Sequence, residues 1–148
     1  MKVYIGADHG GFKLKEKAKH KLVEWGFDVE DMGAKTLDPD DDYPEFAYAV
    51  AKKVSENLSA SRGILLCRSG VGMDIVANKV KGIRSAQVFN EEMAKKSREH
   101  EDANVLTIAT DYLPEENVLF ILKIWLETPF SGDERHVRRL KQIEELEK

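Results

Sequence analysis

The sequence predicts an α/β protein in which helices cover a doubly wound, parallel sheet of five strands. Short apolar runs alternate with longer amphipathic runs along all 148 residues, and each apolar run is followed by a helical pattern. Parallel neighbours in a sheet need helical crossovers, and this alternation supplies them. The length suits one ordinary core, so we expect a single domain over residues 1–148 with an extra helix at its C-terminal end.

The first strand and helix are indicated by an apolar run and by helical spacing. Residues 3–7 are apolar and partly β-branched, and a turn at 8–11 ends the strand. Residues 12–25 place apolar side chains on one helical face, and Gly26 stops the helix. Residues 27–32 alternate between apolar and polar, which is typical of an edge strand exposed on one side.

The middle of the chain holds the next three elements. Pro44 suits the first turn of a helix that starts at Tyr43 and runs to about Leu58. A buried strand follows at 63–67, and a glycine-rich turn leads from it into a helix at about 70–80.

The last third of the chain continues the alternation. A strand is predicted at 84–88, and Asn90 is expected to cap a helix at 91–100. Residues 105–109 form the fifth predicted strand, and Pro114 opens an amphipathic helix to about Glu127. A charged helix begins after 131–133 and runs to the last residue.

Composition excludes several classes of function. The formal net charge is −4, so nothing attracts the chain as a whole to nucleic acid or to an anionic membrane. One cysteine allows no internal disulfide. The N-terminal apolar run is too short for a signal peptide, and no run approaches the roughly 20 apolar residues of a membrane span. We expect a cytoplasmic protein without nucleic-acid or membrane partners.

The single cysteine, Cys67, stands where a ligand of such a sheet is expected. It ends a predicted strand, and residues 69–72 read Ser-Gly-Val-Gly before the next helix. Ligands of open α/β sheets bind beyond the carboxyl ends of the strands. A glycine-rich turn aims backbone N–H groups into one concavity, and a helix N-terminus favours a thiolate. The alternative is a small apolar residue that simply ends a core strand.

The residues after Cys67 exclude several familiar uses of such a turn. Met73 occupies the position at which a phosphatase loop needs arginine, and a nucleotide P-loop would need Gly-Lys-Ser/Thr after Gly72. Ile75 occupies the third glycine position of the dinucleotide pattern, and no second cysteine completes a redox pair. A thiolate that faces an anion hole then favours proton abstraction or acyl chemistry.

Other candidates each have a simpler alternative. Asp8 and His9 follow the first strand, where they are either a helix-capping turn or donors to a phosphate or sugar hydroxyl. Arg135 and Arg139 share one helical face and could grip one phosphate, or they are a solvated surface. His100 ends a helix, where it is either a cap or a general acid.

No metal or cofactor is expected. Asp38, Asp40 and Asp42 mimic the start of a calcium loop, but Tyr43 and Ala49 replace the glycine and glutamate that the loop requires. No two histidines have the spacing of metal ligands.

Taken together, the runs of the sequence resemble the ribose-5-phosphate isomerase B family, which includes related galactose- and allose-phosphate isomerases. The resemblance covers essentially the whole chain, and in this order and spacing it is highly specific. The matching runs are 6–11 (Gly-Ala-Asp-His-Gly-Gly), 42–44 (Asp-Tyr-Pro), 63–67 with 69–72, 77–79 with 82–84, His100 with 102–106, and Arg135-His136 with Arg139.

The resemblance implies a Rossmann-like sandwich, found as a homodimer or homotetramer with active sites at the subunit interface. It implies that Cys67 is the base that moves a proton between C1 and C2 of an open-chain aldose, and that Ser69 handles protons on the substrate oxygens. His100, from the partner subunit, matches the acid that opens the sugar ring. The enediolate hole matches the backbone N–H groups of Gly70, Val71, Gly72, Met73 and Asp74.

The same resemblance assigns the binding residues. His9, Arg135 and Arg139 match ligands of the phosphate, and Asp8 matches a contact to a sugar hydroxyl. Three positions depart from the family pattern: Arg68 stands where many members have glycine, Glu101 where asparagine is common, and Asp111 where an arginine often joins the phosphate site.

The predicted function is therefore the interconversion of ribose 5-phosphate and ribulose 5-phosphate through an enediolate, a step of the pentose phosphate pathway. Such chemistry needs a base of tuned pKa and donors placed where enediolate charge develops. The alternatives are the same reaction on allose 6-phosphate or galactose 6-phosphate, a non-catalytic sugar-phosphate-binding module, and a redox sensor at Cys67, which lacks a resolving cysteine.

Overall fold

Five strands and six helices alternate along the chain, and the computed structural model describes all 148 residues. In chain order the elements are β1 (Lys2–Ala7), α1 (Phe12–Glu24), β2 (Asp28–Asp31), α2 (Tyr43–Glu56), β3 (Ser61–Cys67), α3 (Val71–Ala77), β4 (Ser85–Gln87), α4 (Glu91–Glu99), β5 (Val105–Ala109), α5 (Glu115–Glu127) and α6 (Glu134–Leu146). The predicted α/β fold is confirmed, with every predicted strand and helix present.

Several predicted boundaries differ from the structure by one to three residues, most of all at the end of α3. α3 was predicted to run to residue 80, but it ends at Ala77, and Asn78 is its C-cap. The Asn78 side chain pairs with the backbone of Ser85, at 2.8 Å to its nitrogen and 3.0 Å to its oxygen. This pairing ties the end of α3 to the start of β4, and β4 shortens to Ser85–Gln87. Asn90 caps α4 as predicted, by accepting from the Met93 nitrogen at 2.8 Å.

The sheet has the strand order β2-β1-β3-β5-β4, and all four pairings are parallel. β2 lies at one edge, as its alternating pattern predicts, and β4 lies at the other. α1, α4 and α5 pack on one face, around Trp125 and Leu122, whereas α2 and α3 pack on the opposite face around Val50 and Met73. β1 and β5 therefore send their helices to one face and β3 sends its helix to the other, so crevices open on both sides of β3 at the carboxyl edge.

A buried ion pair fastens α1 to β2. Lys15 is fully buried, and its Nζ donates to both carboxylate oxygens of Asp31 at 2.9 Å and to the carbonyl of Ala34. Lys19 donates to the same carboxylate at 2.7 Å. Burial acts to raise the pKa of Asp31, but the hydrogen bonds from Lys19 and Lys15 prevail and lower that pKa to about 2.

No helix of the structure is both long and apolar enough to cross a membrane.

Candidate active site

Three loops meet at the carboxyl edge of the sheet, one after each of β1, β3 and β5. Ala7 pairs with Leu66, and Cys67 pairs with Ala109, so the three strands end side by side. Thr110 joins the loops: its N–H donates to the Cys67 carbonyl at 2.9 Å, and its hydroxyl donates to the Gly10 carbonyl at 3.1 Å. This seam fixes the position of Cys67 relative to the loop that carries Asp8 and His9.

Cys67 is a mostly buried thiol at the end of the central strand, with 5% of its surface exposed. Its Sγ accepts a hydrogen bond from the Gly70 N–H at 3.1 Å. Burial raises the pKa of the thiol, the Gly70 N–H opposes this, and the nearby Asp8 carboxylate adds to the rise. The N–H groups of the turn act to lower this pKa, which is the predicted direction, but burial has the larger effect and the pKa stays raised.

The turn after Cys67 is shaped by glycine at a left-handed position. Gly70 has φ of 77° and precedes α3, and a Cβ there would lie 2.7 Å from the Gln87 side-chain nitrogen. The same Gln87 amide donates to the Ser69 carbonyl. Ser69 is exposed, and its hydroxyl makes no hydrogen bond within the chain. The turn is thus held from β4 while the Ser69 hydroxyl stays available to a ligand.

The first turn of α3 supplies backbone donors. Val71, Gly72 and Met73 begin this helix, where N–H groups have no partner within the helix. Two of the predicted donors are already used within the chain: the Gly70 N–H donates to Cys67 Sγ at 3.1 Å, and the Asp74 N–H donates to the Gly70 carbonyl at 3.1 Å.

The Asp74 side chain is a structural anchor. Its carboxylate accepts from Ser85 at 2.6 Å and from Thr107 at 3.2 Å, and burial raises its pKa. It fastens α3 to β4 and β5, which keeps the donors of the first helical turn in place.

Asp8 forms the turn before α1, as one alternative from the sequence proposed, but its side chain does not cap the helix, whose N-cap is Gly11. Its Oδ1 accepts from the N–H groups of Gly10 at 2.9 Å and Gly11 at 3.2 Å, and burial raises its pKa. A Cβ on Gly11 would lie 2.3 Å from the Leu66 carbonyl oxygen, so only glycine lets α1 start this close to β3.

His9 is held by Asp41, a residue from the loop before α2. Asp41 Oδ1 lies 2.7 Å from His9 Nδ1 and accepts from the His9 N–H at 3.1 Å. The Asp41 side chain is only 6% exposed, and its Oδ2 has no hydrogen-bond partner. The hydrogen bond to Asp41 raises the pKa of His9, which favours the cationic imidazolium needed to bind an anion.

Asp8, His9 and Asp41 are also the residues whose geometry suits a metal ion. Each offers one ligand atom, and these atoms all lie within 4.8 Å of one another. Sequence spacing does not reveal this trio, because Asp41 comes from a separate loop.

The Asp41–His9 contact gives a direct prediction. In Asp41→Asn the charged acceptor is lost, so the pKa of His9 is expected to fall towards its ordinary value of 6.5. NMR titration of the imidazole signals measures this shift. Asp42→Asn, at the exposed neighbouring position, is the matched control and should leave the titration unchanged. An unaltered His9 titration in Asp41→Asn would show that the contact does not set its charge.

His100, Arg135 and Arg139 lie elsewhere in the same chain. α4 leads from β4 back towards the amino end of β5, and His100 caps it there. The His100 ring contacts the ring of His136, with centroids 4.4 Å apart. The segment before α6 is tied to the end of α4, because the Ser131 N–H donates to the Glu99 carbonyl at 3.1 Å.

α6 continues along the amino edge of the sheet. Near its end, Glu147 accepts from the N–H of Gly82, which precedes β4, at 3.1 Å. Arg135 and Arg139 project from this helix as exposed side chains. The predicted site residues therefore form two groups. The carboxyl-edge group is Asp8, His9, Cys67, Ser69 and 70–74, and the amino-edge group is His100, Arg135 and Arg139.

The family follows from a comparison with known proteins. Residues 3–143 match the family model described as Ribose/Galactose Isomerase. The chain belongs to the ribose/galactose isomerase family. The family resemblance predicted from the sequence is thus confirmed.

Relatives in the ribose/galactose isomerase family match the chain over almost its full length. A probable ribose-5-phosphate isomerase B of Mycoplasma genitalium is 39% identical over 146 residues, which cover 99% of this chain and 95% of the relative. Ribose-5-phosphate isomerase B of Mycobacterium tuberculosis (strain H37Rv) is 38% identical over 148 residues, 100% of this chain and 91% of the relative.

Solved structures of the family share the fold. The ribose-5-phosphate isomerase B of Mycoplasma genitalium with bound ribulose-5-phosphate superposes with a TM-score of 0.96 at 38% identity, covering 99% of this chain and 95% of that one. The enzyme of Clostridium thermocellum gives a TM-score of 0.94 at 40% identity, with 99% and 97% covered.

Three residues around the candidate site were assigned no role from the sequence. Asp41 orients His9, Gln87 holds the Ser69 carbonyl, and Tyr43 covers the turn at Gly72, where an added Cβ would lie 2.4 Å from its ring. Asp41 and Tyr43 belong to the acidic run and the Asp-Tyr-Pro motif, so a signal existed for both. Gln87 carries no sequence signal, because its role depends on the fold that brings β4 beside the turn.

Proposed function

We propose that this member of the ribose/galactose isomerase family is an aldose–ketose isomerase that interconverts ribose 5-phosphate and ribulose 5-phosphate. The observation that carries the proposal is the Cys67 turn. A thiol, an available hydroxyl on Ser69 and unpaired helix amides converge at the carboxyl edge. The relative from Mycoplasma genitalium with bound ribulose-5-phosphate supports this choice of substrate.

The proposed reaction moves one proton between adjacent carbons. The Cys67 thiolate removes the proton from C2 of the open-chain aldose, and the electron pair of that C–H bond forms the enediolate. The same proton, now on sulfur, returns to C1 and gives the ketose. Burial raises the pKa of Cys67, which makes its thiolate a stronger base towards a carbon acid.

The remaining carboxyl-edge residues have supporting roles in this proposal. Ser69 exchanges protons with the substrate oxygens, and the N–H groups of Val71 and Gly72 stabilise the developing oxyanion. Asp8 binds a sugar hydroxyl through Oδ2, the carboxylate oxygen that does not accept from Gly10 or Gly11. His9, kept cationic by Asp41, meets the phosphate.

We further propose that a second copy of the chain completes the site, in a cytoplasmic homodimer or homotetramer. The two edges of one sheet are separated by the length of its strands. His100, Arg135 and Arg139 belong to the amino-edge group and Cys67 to the carboxyl-edge group, and an antiparallel neighbour would bring its amino-edge group to the carboxyl-edge group. In this arrangement His100 of the partner subunit opens the sugar ring, and the two arginines of that subunit hold the phosphate.

The substrate assignment is tested by comparing kcat/KM for ribose 5-phosphate and allose 6-phosphate with direct detection of the products. One additional carbon changes the span between phosphate and C2, and a single extra carbon is worth about 10- to 200-fold in discrimination. We expect a preference of at least about tenfold for ribose 5-phosphate. The reverse preference would assign a six-carbon substrate. Binding of both sugars without turnover would instead indicate a non-catalytic module.

A further inference from the structure

We propose that Arg68 determines specificity for a phosphorylated substrate by binding its phosphate, and that Asp111 holds the Arg68 guanidinium in position. The inference rests on the proposed function, because it takes the substrate to be a sugar phosphate. It concerns a residue adjacent to Cys67 to which neither periodicity nor spacing assigned a role.

Arg68 turns away from the thiol pocket and lies across the neighbouring loop. Successive residues at a strand end point to opposite faces. Cys67 packs with the α2–α3 core, so Arg68 is directed towards the crevice on the α1–α5 side. A Cβ on Gly10 would lie only 2.1 Å from the Arg68 Cγ, which shows that the side chain runs directly over the loop after β1.

Asp111 fixes the guanidinium through one nitrogen. Arg68 Nε donates to Asp111 Oδ2 at 3.0 Å, and the Asp111 N–H donates to the Arg68 carbonyl at 3.1 Å. The Nη1 and Nη2 groups make no hydrogen bond within the chain, and the side chain is 67% exposed. An arginine held at Nε keeps both terminal nitrogens for bidentate binding of an oxyanion.

The pair is poorly explained as a device for stability. Exposed ion pairs typically add little to stability, and Thr110 already joins the same loops through part-buried hydrogen bonds. Stability therefore does not explain why an arginine stands at this position beside the reacting thiol.

His9 provides a second cation beside Arg68. The two residues flank Gly10, and the positive charge of Arg68 acts to lower the pKa of His9 while Asp41 raises it. Two cations held next to one another by separate carboxylates repel each other, and a doubly charged phosphate between them removes that repulsion. The anionic groups around the two cations are Asp8, Asp41 and Asp111, with Glu115, which pairs with Lys17, farther along the crevice.

The test compares Arg68→Gln with Lys13→Gln. Lys13 lines the same crevice as Gly10 and Asp111. Its substitution therefore also removes one positive charge from the crevice, but it leaves the Arg68 guanidinium unchanged. Affinity for inorganic phosphate is measured by calorimetry, and KM and kcat are measured with ribose 5-phosphate. We expect Arg68→Gln to weaken phosphate binding and raise KM by about 10- to 100-fold, the usual effect of losing a charge-assisted hydrogen bond. We expect kcat to change little, and Lys13→Gln to alter either constant by no more than about twofold.

A second variant separates charge from geometry. Arg68→Lys retains the charge but lacks the fork and the Nε contact to Asp111, so it should fall between wild type and Arg68→Gln. Equal phosphate affinities of Arg68→Gln and Lys13→Gln would overturn the inference, as would a wild type that binds no phosphate. A loss confined to kcat would also overturn it, since Arg68 would then act on the thiol. Phosphate binding that depends on Arg68 in a chain without isomerase turnover would refute the proposed function and leave the inference standing.

Discussion

Replacing Cys67 by alanine is expected to lower kcat for ribose 5-phosphate by about 10³-fold, while KM changes only a few-fold. The reason is that alanine removes the only thiol of the chain and leaves the backbone donors and the phosphate-binding groups in place. Loss of an interaction made mainly in the transition state lowers kcat and kcat/KM together. Steady-state kinetics with direct product detection provides the measurement.

Ser69→Ala is the matched control, because it lies in the same turn and removes a hydroxyl that makes no hydrogen bond within the chain. We expect its effect to be smaller than that of Cys67→Ala, since the substrate oxygens can exchange protons with water. Turnover close to that of wild type in Cys67→Ala would exclude Cys67 as the base.

If two subunits share each active site, inactive variants of the two subunits should complement each other. Cys67→Ala and His100→Asn are each expected to be impaired, but co-expression of the two variants creates mixed dimers. In each mixed dimer one site combines an intact Cys67 with an intact His100 of the partner subunit. Random assembly should restore about one quarter of the wild-type activity. A mixture no more active than its components would mean that both residues act within one chain.

Asp31→Asn is expected to destabilise the fold by about 3 to 5 kcal/mol, because it leaves the buried Lys15 ammonium with only the more exposed Glu16 carboxylate, 3.4 Å away, as a charged partner. Asparagine keeps the size of the side chain, so the loss reports charge and not packing. The free energy of unfolding, measured by denaturant titration, tests this expectation.

Asp28→Asn provides the control for that measurement, since Asp28 lies on the same strand and pairs with Lys2. The Asp28 side chain is 72% exposed, against 11% for Asp31, so its loss should change stability by less than about 0.5 kcal/mol. Equal effects of the two substitutions would show that burial of Lys15 does not depend on Asp31.

The same pair predicts how stability depends on acid. The pKa of Asp31 is about 2 in the folded chain and 3.8 ordinarily. A lowered pKa stabilises the fold at pH values above the ordinary one, and the contribution disappears as the pH falls to about 2. Wild type should therefore lose about 2 kcal/mol from this group across that interval, and Asp31→Asn should not.

The fold was largely predictable because local patterns and global topology agree. Apolar runs at 3–7 and 105–109 are too short for helices and too apolar for exposed strands, and the structure places both inside the sheet. The strand order was not predictable, since nothing local states that β5 inserts between β3 and β4. The end of α3 was not predictable either, because the contact of Asn78 with Ser85 of β4 depends on the folded chain.

The candidate site was predictable as a set of residues but not as an arrangement. The turn chemistry around Cys67 is local, so glycine content and position relative to a strand reveal it. The Asp41–His9 contact joins positions 32 residues apart, and only the folded loop shows it. The direction of the Cys67 pKa shift also required the structure, because it depends on how deeply the thiol is buried.

The placement of His100 and the α6 arginines at the edge opposite Cys67 has a consequence for control of the proposed enzyme. Activity would depend on the contact between chains. Dilution below the dissociation constant of the assembly would therefore inactivate every site. Mass action among subunits, and not only substrate supply, would then set the specific activity. A damaged chain would also lower the output of an intact partner, because each chain contributes to two sites.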